Sequence, residues 1–300
     1  MSISVVIPTY KNKLLFLENL KNNLKYLADC EIIIVNDDPA DSPQEDLRQF
    51  ANVRLFENSS RLGFGASVNI GVDKAKGDYV LLLNNDVILE NDHFKEVIKL
   101  FEKDSALFAV SFAQREKDGS LTGKNEIYWQ NGFIRHRQAA QFTDGDTAWA
   151  EGGSSLIVKA LFQKLGGFDS LYTPFYWEDI DLSYRAWKAG YKIWFVSQPI
   201  GLHHHATTIA KYFTTGEIKT ISFRNQFIFI WKNITDYRLL LEHLRTLPKA
   251  LFQTIIKGQW EFLWGFLAAL TRLPLILFRR RTCEQFKQIS DHEILARFKK

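Results

Sequence analysis

Three carboxylates, Glu178, Asp179 and Asp181, stand close together directly after the aromatic run at 175–177. Aromatic side chains there would shield the carboxylates from water, and loss of hydration raises a carboxyl pKa toward the range that a general base needs. Acidic residues also stabilise the N-terminus of a helix. The alternative is therefore that these residues only cap a helix.

A second polar group, Asn84-Asn85-Asp86, follows the apolar run at 79–83. A carboxylate at the end of a buried strand can hold a divalent cation that bridges two phosphates, and the cation then helps a diphosphate to leave. The alternative for this short segment is an Asx turn.

The third candidate is Asp37, which lies just after the mainly apolar run at 31–35. A carboxylate there can accept a hydrogen bond from an N–H group on the edge of a nucleobase. The alternative is a loop aspartate that makes a turn or caps the next helix.

Three consecutive histidines stand at 203–205. Side chains alternate between the faces of a strand, so His203 and His205 could share one face and one of them could complete a metal site that begins at Asp86. Imidazole suits manganese better than magnesium. The alternative is a cluster of surface histidines.

The elements that position these residues alternate between strands and helices. Such alternation predicts an α/β fold with a mostly parallel sheet, in which ligands bind at the carboxyl ends of the strands. We therefore expect Thr9, Asp37 and Asp86 to converge on one crevice. The predicted strands lie at 3–7, 31–35, 53–56, 79–83 and 191–196, with loops and short antiparallel strands over 113–150 and helices at 159–165 and 178–189.

Composition narrows the class of protein. The chain has 300 residues, of which 46% are hydrophobic and 24% charged, as in folded globular proteins. Two cysteines exclude a disulfide scaffold and a four-cysteine zinc site. The first residues have neither a cationic start nor a long apolar run, so no signal peptide is expected.

Several motifs in fixed order resemble the family-2 glycosyltransferases, and within them the bacterial rhamnosyltransferase-type enzymes. The resemblance covers residues 3 to about 210. It rests on VVIPTY at 5–10, IIIVNDD at 32–38, NSSRLGFGASVNIG at 58–71, GDYVLLLNNDV at 77–87, GGFDSLYTPFYWEDIDLSYRAWKAGY at 166–191 and His203.

The resemblance implies a GT-A fold, a Rossmann-like nucleotide-diphospho-sugar transferase with a C-terminal helical extension. It places a catalytic domain at 1–215, with a nucleotide-sugar-binding half at 1–110 and an acceptor half at 111–215. Residues 216–300 are then a basic, aromatic helical tail.

The resemblance also assigns roles in donor binding. Thr9 and Asp37 would hold the nucleoside, and the backbone of Gly152 and Gly153 would approach the donor sugar. The full set of implied donor-binding residues is Pro8, Thr9, Tyr10, Asp37, Asn58, Gly63, Asn69, Asn84, Asn85, Gly152 and Gly153.

By the same resemblance, Asp179 is the general base, and Glu178 and Asp181 support it or the acceptor. Asp86 and His203 would bind a divalent cation, manganese or magnesium. The chain departs from the pattern at Asn84, which replaces the first acidic residue of the metal motif and leaves one carboxylate.

The implied function is inverting transfer of a sugar from a nucleotide-diphosphate donor, with dTDP-rhamnose as the first candidate. The acceptor would be a saccharide or a lipid-linked glycan in cell-surface polysaccharide biosynthesis, such as lipopolysaccharide. The alternative is a non-catalytic protein that binds nucleotide sugars or acts as a scaffold on the same fold.

The C-terminal segment is basic and aromatic. Residues 211–300 hold 16 Lys and Arg against seven Asp and Glu, a charge of +9, whereas residues 1–210 carry −5. The longest uncharged stretch of its apolar part, 262–271, is ten residues and falls short of the ~20 that span a bilayer.

Tryptophan, phenylalanine and arginine in that segment favour a helix that lies in the membrane interface. The protein would then be cytoplasmic and peripheral on the inner face of the cell membrane. The alternative is that the apolar faces pack on the catalytic domain or on a second subunit. Basic residues interleaved with apolar runs do not favour a nucleic-acid partner.

Overall fold

A computed structural model describes residues 2–203 and 209–299 of the protein. Among them, ten strands form one large sheet and two form a separate hairpin. The strands are β1 (Ile3–Thr9), β2 (Glu31–Asn36), β3 (Val53–Glu57), β4 (Tyr79–Leu83), β5 (Val87–Leu89), β6 (Leu107–Arg115), β7 (Leu121–Thr122), β8 (Asn125–Gln130), β9 (Phe133–Gln138), β10 (Gly145–Asp146), β11 (Ser154–Val158) and β12 (Lys192–His203).

The described helices lie between the strands in the first half of the chain and follow one another in the second half. They are α1 (Lys13–Leu27), α2 (Gln44–Leu47), α3 (Phe64–Lys74), α4 (Ile98–Lys103), α5 (Lys159–Lys164), α6 (Glu178–Lys188), α7 (Ile209–Tyr212), α8 (Thr215–Asn233), α9 (Tyr237–Ile256), α10 (Trp260–Leu270), α11 (Leu273–Glu284) and α12 (Asp291–Arg297).

The large sheet has the order β10-β12-β6-β11-β4-β1-β2-β3. Strand β1 pairs in parallel with β2 and β4, and β2 pairs in parallel with β3. Strand β11 is antiparallel to both of its neighbours, β4 and β6. The central runs are buried on both faces, which explains why they read as continuous apolar stretches.

The mostly parallel α/β sheet is confirmed, and the predicted strands at 3–7, 31–35, 53–56 and 79–83 correspond to β1 to β4. Two features differ from the sequence analysis. Strand β6 begins at Leu107, before the segment described as loops, and β12 continues from the predicted 191–196 to His203. This extension brings the backbone of His203 beside Val87 in β5.

Helix α8 belongs to the core and is not a detached tail. Phe227, Ile228, Phe229 and Ile230 are fully buried in the same apolar cluster as the α3 side of the sheet. The division at residue 215 therefore does not coincide with an edge of the core. Helix α9 also packs on the hairpin, because Glu242 accepts hydrogen bonds from Trp129 Nε1 and from the backbone N–H of Gly132, both at 2.8 Å.

Helices α9 to α11 expose many large apolar side chains. Trp260, Trp264, Phe252 and Phe278 are at least half exposed, and leucines and isoleucines surround them. Among the described helices none is long and apolar enough to cross a membrane alone. Helices α10 and α11, bent by 71° at their junction, meet the length and composition test only as a pair.

Candidate active site

Asp179 is the second residue of α6 and is partly exposed. Its carboxylate accepts hydrogen bonds from the backbone N–H groups of Ile180, at 2.8 Å, and of Gly152. The pKa of Asp179 is raised to about 7. Burial makes the largest contribution and the negative charge of Glu151 the next largest, whereas both hydrogen bonds lower the pKa. A carboxylate with this pKa can accept a proton near neutral pH.

Glu178 begins α6 and is only 7% exposed. Its Oε2 atom is buried and has no hydrogen-bond partner among residues 2–203 and 209–299. Burial and the neighbouring charge of Asp179 raise the pKa of Glu178 well above its ordinary value. A carboxyl oxygen in this environment is suited to a ligand hydroxyl, because an orphaned buried polar atom is costly.

The turn Gly152–Gly153 joins the two predicted acidic centres. On one side the N–H of Gly152 donates to Asp179, and on the other the carbonyl of Gly153 accepts the N–H of Asn84 at 3.0 Å. A Cβ at position 153 would overlap the Asn84 side chain, which would have to move to make room for it. Asn84, which bonds to this turn, lies two residues before Asp86 in the chain. The turn therefore connects the segment that carries Asp86 with Asp179.

The carboxyl ends of β1 and β4 meet beside this turn. Asn85 Nδ2 donates to Thr9 Oγ1 at 3.1 Å, which fixes the loop that carries Asp86 against the end of β1. The backbone pairing of His203 with Val87 brings the end of β12 to the same loop. His204 and His205 lie outside the described residues.

Asp37 is 3% exposed and holds the loop at 58–63. Its carboxylate accepts hydrogen bonds from Asn58 Nδ2 at 2.8 Å and from the backbone N–H groups of Leu62 and Gly63 at 2.7 and 2.8 Å. Asp37 and Asn58 thus hold the loop at 58–63 in place. It is called the donor loop below, because the resemblance assigns it to donor binding. Contact of Asp37 with a nucleobase remains a prediction.

Gly63 connects this loop to the segment at 172–177, here called the acid loop because it leads into Glu178 and Asp179. With a φ of 92°, Gly63 adopts a conformation that other residues rarely adopt, and a Cβ there would lie 3.1 Å from the carbonyl oxygen of Pro174. The N–H of Phe64 donates to the same oxygen at 3.3 Å.

Asp181 has a structural environment that sequence reasoning missed. It is fully buried, and its carboxylate accepts hydrogen bonds from Tyr172, Arg185, Lys232 and Asn233. Although burial opposes ionisation, the charges of Lys232 and Arg185 hold its pKa well below the ordinary range. The oxygens of Asp181 are thus engaged inside the protein, and a role for Asp181 in support of Asp179 or the acceptor stays a prediction.

Two further residues that were predicted to bind the sugar donor, Asn69 and Pro8, have mainly structural contacts. Asn69 exchanges two hydrogen bonds with the backbone of Phe168, at 2.8 and 2.9 Å, and so ties α3 to the segment before the acid loop. Pro8 is a buried residue of β1, paired with Val35. Neither contact gives the side chain a direct role toward a donor.

Tyr10 lies beside Arg61, which also contacts Phe213; neither Arg61 nor Phe213 is among the predicted site residues. The guanidinium of Arg61 lies over the Tyr10 ring at 4.4 Å and over the Phe213 ring at 4.9 Å. Exposed cations that stack on aromatic rings suit an anionic ligand. Glu151 is also absent from the predicted site residues, although it directly precedes Gly152, which is one of them.

Within the described residues, no cluster of three or more His, Cys, Asp and Glu forms a ready metal site. Asn84, Asn85 and Asp86 are consecutive after β4, and carboxylate and amide oxygens are the ligand types that suit manganese or magnesium. A cation held by Asp86 stays a prediction.

The parallel sheet, the polar strand ends and the acidic start of α6 define a GT-A nucleotide-sugar transferase fold. The family model described as "Glycosyl transferase family 2" matches residues 4–166. The chain therefore belongs to glycosyl transferase family 2.

Two curated relatives are glycosyltransferases by name. The amylovoran biosynthesis glycosyltransferase AmsB of Erwinia amylovora is 26% identical over 220 residues, covering 69% of this chain and 71% of that protein. The N-acetylglucosaminyl-diphospho-decaprenol L-rhamnosyltransferase of Mycobacterium tuberculosis is 24% identical over 196 residues, covering 55% of this chain and 63% of that protein. The match thus spans less than two thirds of the second relative.

A solved structure supports the fold. The mannosyltransferase PcManGT from Pyrobaculum calidifontis, in complex with GDP-Man and Mn2+, superposes with a TM-score of 0.53 at 14% identity. The match covers 93% of this chain and 86% of that one. At this identity the likeness establishes the fold alone.

Proposed function

We propose that the protein is an inverting glycosyltransferase that uses a nucleoside-diphosphate sugar, with dTDP-rhamnose as the first donor to test. The observation that carries the proposal is the Gly152–Gly153 turn, which contacts Asp179 on one side and the Asn84 backbone on the other. The names of the relatives, an amylovoran biosynthesis enzyme and a rhamnosyltransferase, support a role in surface-glycan synthesis.

In the proposed reaction, the oxygen of an acceptor hydroxyl attacks the anomeric carbon of the donor. Asp179 takes the hydroxyl proton, the new C–O bond forms, and the bond to the diphosphate breaks with its electron pair. Attack opposite the leaving group inverts the anomeric configuration. The carboxyl of Glu178, with its unused Oε2, would hold a sugar or acceptor hydroxyl.

Asp86 is the proposed carboxylate ligand of a divalent cation, with His203 as a second candidate on the evidence of its backbone position. Such a cation, when bound, neutralises charge on the departing diphosphate. The Gly152–Gly153 turn, which contacts Asp179 and the backbone of Asn84, supports this division of roles between the two sides of one sugar.

The first test is turnover of a panel of nucleotide sugars with manganese, comparing wild type with Asp179→Asn. We expect the variant to lose roughly two to four decades of turnover while it binds the donor normally. Asp118→Asn, at an exposed turn, is the matched control and keeps its activity. Wild-type turnover in Asp179→Asn would remove Asp179 from the role of base.

We also propose that α9 to α11 rest on the membrane and present the site to a lipid-linked acceptor. The support is the exposed apolar surface, which includes Trp260, Trp264 and Phe278, beside the exposed cations Arg279 and Arg281. Aromatic and cationic side chains together suit an anionic lipid surface.

A cavity of about 450 Å3 lies between α8 and α10 and is lined by Phe213, Trp260 and Trp264. The Phe213 ring is 4.8 Å from the ring of Phe175 in the acid loop. An apolar chain in this cavity would thus lie next to the acid loop, which supports a lipid-linked acceptor.

Flotation with anionic and neutral liposomes tests the membrane proposal. Trp264→Asp should reduce flotation with anionic vesicles, whereas Leu14→Asp should not, since Leu14 is an 81% exposed apolar residue on α1. Equal flotation of both variants and wild type would contradict the proposal. Point substitutions are preferable to truncation within α8, because α8 contributes Phe227 to Ile230 to the core.

A further inference from the structure

Asn225 joins the C-terminal helices to the acid loop. It lies on α8 and is fully buried. Its Nδ2 atom donates to three carbonyl oxygens of the loop, those of Tyr172 at 3.2 Å, Phe175 at 3.0 Å and Tyr176 at 2.8 Å. One amide group thus holds both ends of the segment that precedes the two candidate acids.

The acid loop needs such support because of its backbone conformation. Tyr176 and Trp177, the last residues before α6, have φ values of 70° and 75°. Residues other than glycine rarely adopt this region, and they remain there only where surrounding contacts hold them. Asn225 supplies a donor to these carbonyls, and Arg224 Nη2 is a second, longer donor to that of Tyr172, at 3.5 Å.

The neighbouring residue on α8 strengthens the same connection. Arg224 Nη2 donates to the carbonyl oxygen of Thr173 at 2.6 Å. On the donor side the loop contacts Gly63 through Pro174. Its aromatic side chains also pack on other elements, Phe175 on Phe213 and Trp177 on Phe229. Any shift of the acid loop would therefore move Asp179 relative to both the donor loop and the Gly152 N–H.

We propose that Asn225 is a positioning residue for the transfer reaction, because it sets the backbone from which Asp179 projects. This inference rests on the proposed function, since it takes Asp179 as the base. Helix α8 would then contribute to catalysis through Asn225, in addition to packing in the core.

A matched control stands next to Asn225 on the same helix. Gln226 is 6% exposed, and its amide donates to the carbonyl of Ile134 at 2.8 Å, on the hairpin and away from the acid loop. Alanine at either position removes one buried amide and its hydrogen bonding. Only the change at Asn225 releases the acid loop.

The experiment compares Asn225→Ala, Gln226→Ala and Asp179→Asn in the full chain, with kcat, donor KM and the pH profile of kcat/KM as readouts. We expect Asn225→Ala to lower kcat on the order of 10- to 100-fold, because small displacements of a catalytic group are costly. Donor KM should stay within about twofold, and the pH midpoint should move. Gln226→Ala should lose melting temperature without these kinetic changes.

Equal kcat and equal pH midpoints in the two alanine variants would overturn the inference. Asn225→Ser, which keeps one hydroxyl donor, covers the case in which Asn225→Ala does not fold. A folded Asn225→Ser enzyme with wild-type kcat and midpoint would also overturn it. If Asp179→Asn itself remains active, the proposed function fails and not only the role of Asn225.

Discussion

Removal of the Glu151 charge should make the enzyme active at lower pH. Glu151 raises the pKa of Asp179 through its negative charge, second only to the effect of burial. The substitution Glu151→Gln removes that charge. It keeps an oxygen that can still accept the hydrogen bond from Asn125 Nδ2, which is 2.5 Å long in the wild type.

The size of the effect follows from the ionised fraction of Asp179. With a pKa of about 7, about one tenth of the base is ionised at pH 6 and about one hundredth at pH 5. A unit charge about 10 Å away, at an effective dielectric constant of about 20, is worth about one pKa unit. Loss of the Glu151 charge should therefore raise the ionised fraction at pH 6 to about one half.

The assay is the pH dependence of kcat/KM between about pH 5 and 9 in buffers of constant ionic strength. Wild type should show an acidic limb with a midpoint near 7, because Asp179 must be deprotonated to act as base. Glu151→Gln should shift the limb to lower pH, and Asp118→Asn should not. A wild-type profile that is flat through this range, or an unchanged midpoint in Glu151→Gln, would refute the reasoning.

Three other substitutions test separate parts of the structure. Asp86→Ala should abolish the manganese dependence of donor affinity in calorimetric titration, and a variant whose donor affinity still rises with manganese as in the wild type would contradict this. Lys232→Met should cost about 3–5 kcal/mol of stability in urea unfolding, because it leaves Asp181 buried without one of its cations. Gly63→Ala should cost about 1–2 kcal/mol by the same measurement, since its φ is positive, and should weaken donor binding through the contact with Pro174. Wild-type stability in either of the last two variants would refute that part of the account.

The sheet was predictable because its strands are buried on both faces. The runs at 32–35 and 79–83 are apolar throughout and end in polar residues, so both the strands and the crevice at their ends could be inferred. Strand β6 was missed although it is buried from Leu107 to Gln114, because the polar residues Ser111 and Gln114 interrupt its apolar run.

Motifs in the sequence select Asp179, Asp86 and Gly152 as site residues, and their roles stay predictions. A sequence motif does not give the orientation of a side chain. Asp181 lies two positions after Asp179, and residues two apart on a helix do not share a face. One carboxylate therefore contacts the Gly152 turn, while the other lies in the buried ion-pair cluster around Lys232.

Long-range partners leave no local signal in one sequence. Glu151 affects Asp179 across 28 positions, and Asn225 contacts Tyr176 across 49. The basic, aromatic C-terminal segment also contains both buried and exposed helices, and its composition does not distinguish between them. Phe229 on α8 is buried in the core, whereas Trp264 on α10 is 56% exposed.

We propose that Asp86 and Asp179 act on opposite sides of one donor sugar. The decisive experiment is a crystal structure of the protein with manganese and an uncleavable nucleoside-diphosphate sugar. We expect the diphosphate on the Asp86 side of the Gly152–Gly153 turn, with the anomeric carbon facing Asp179 and room between them for an acceptor hydroxyl. A sugar bound elsewhere, or an anomeric carbon with its open face away from Asp179, would contradict it.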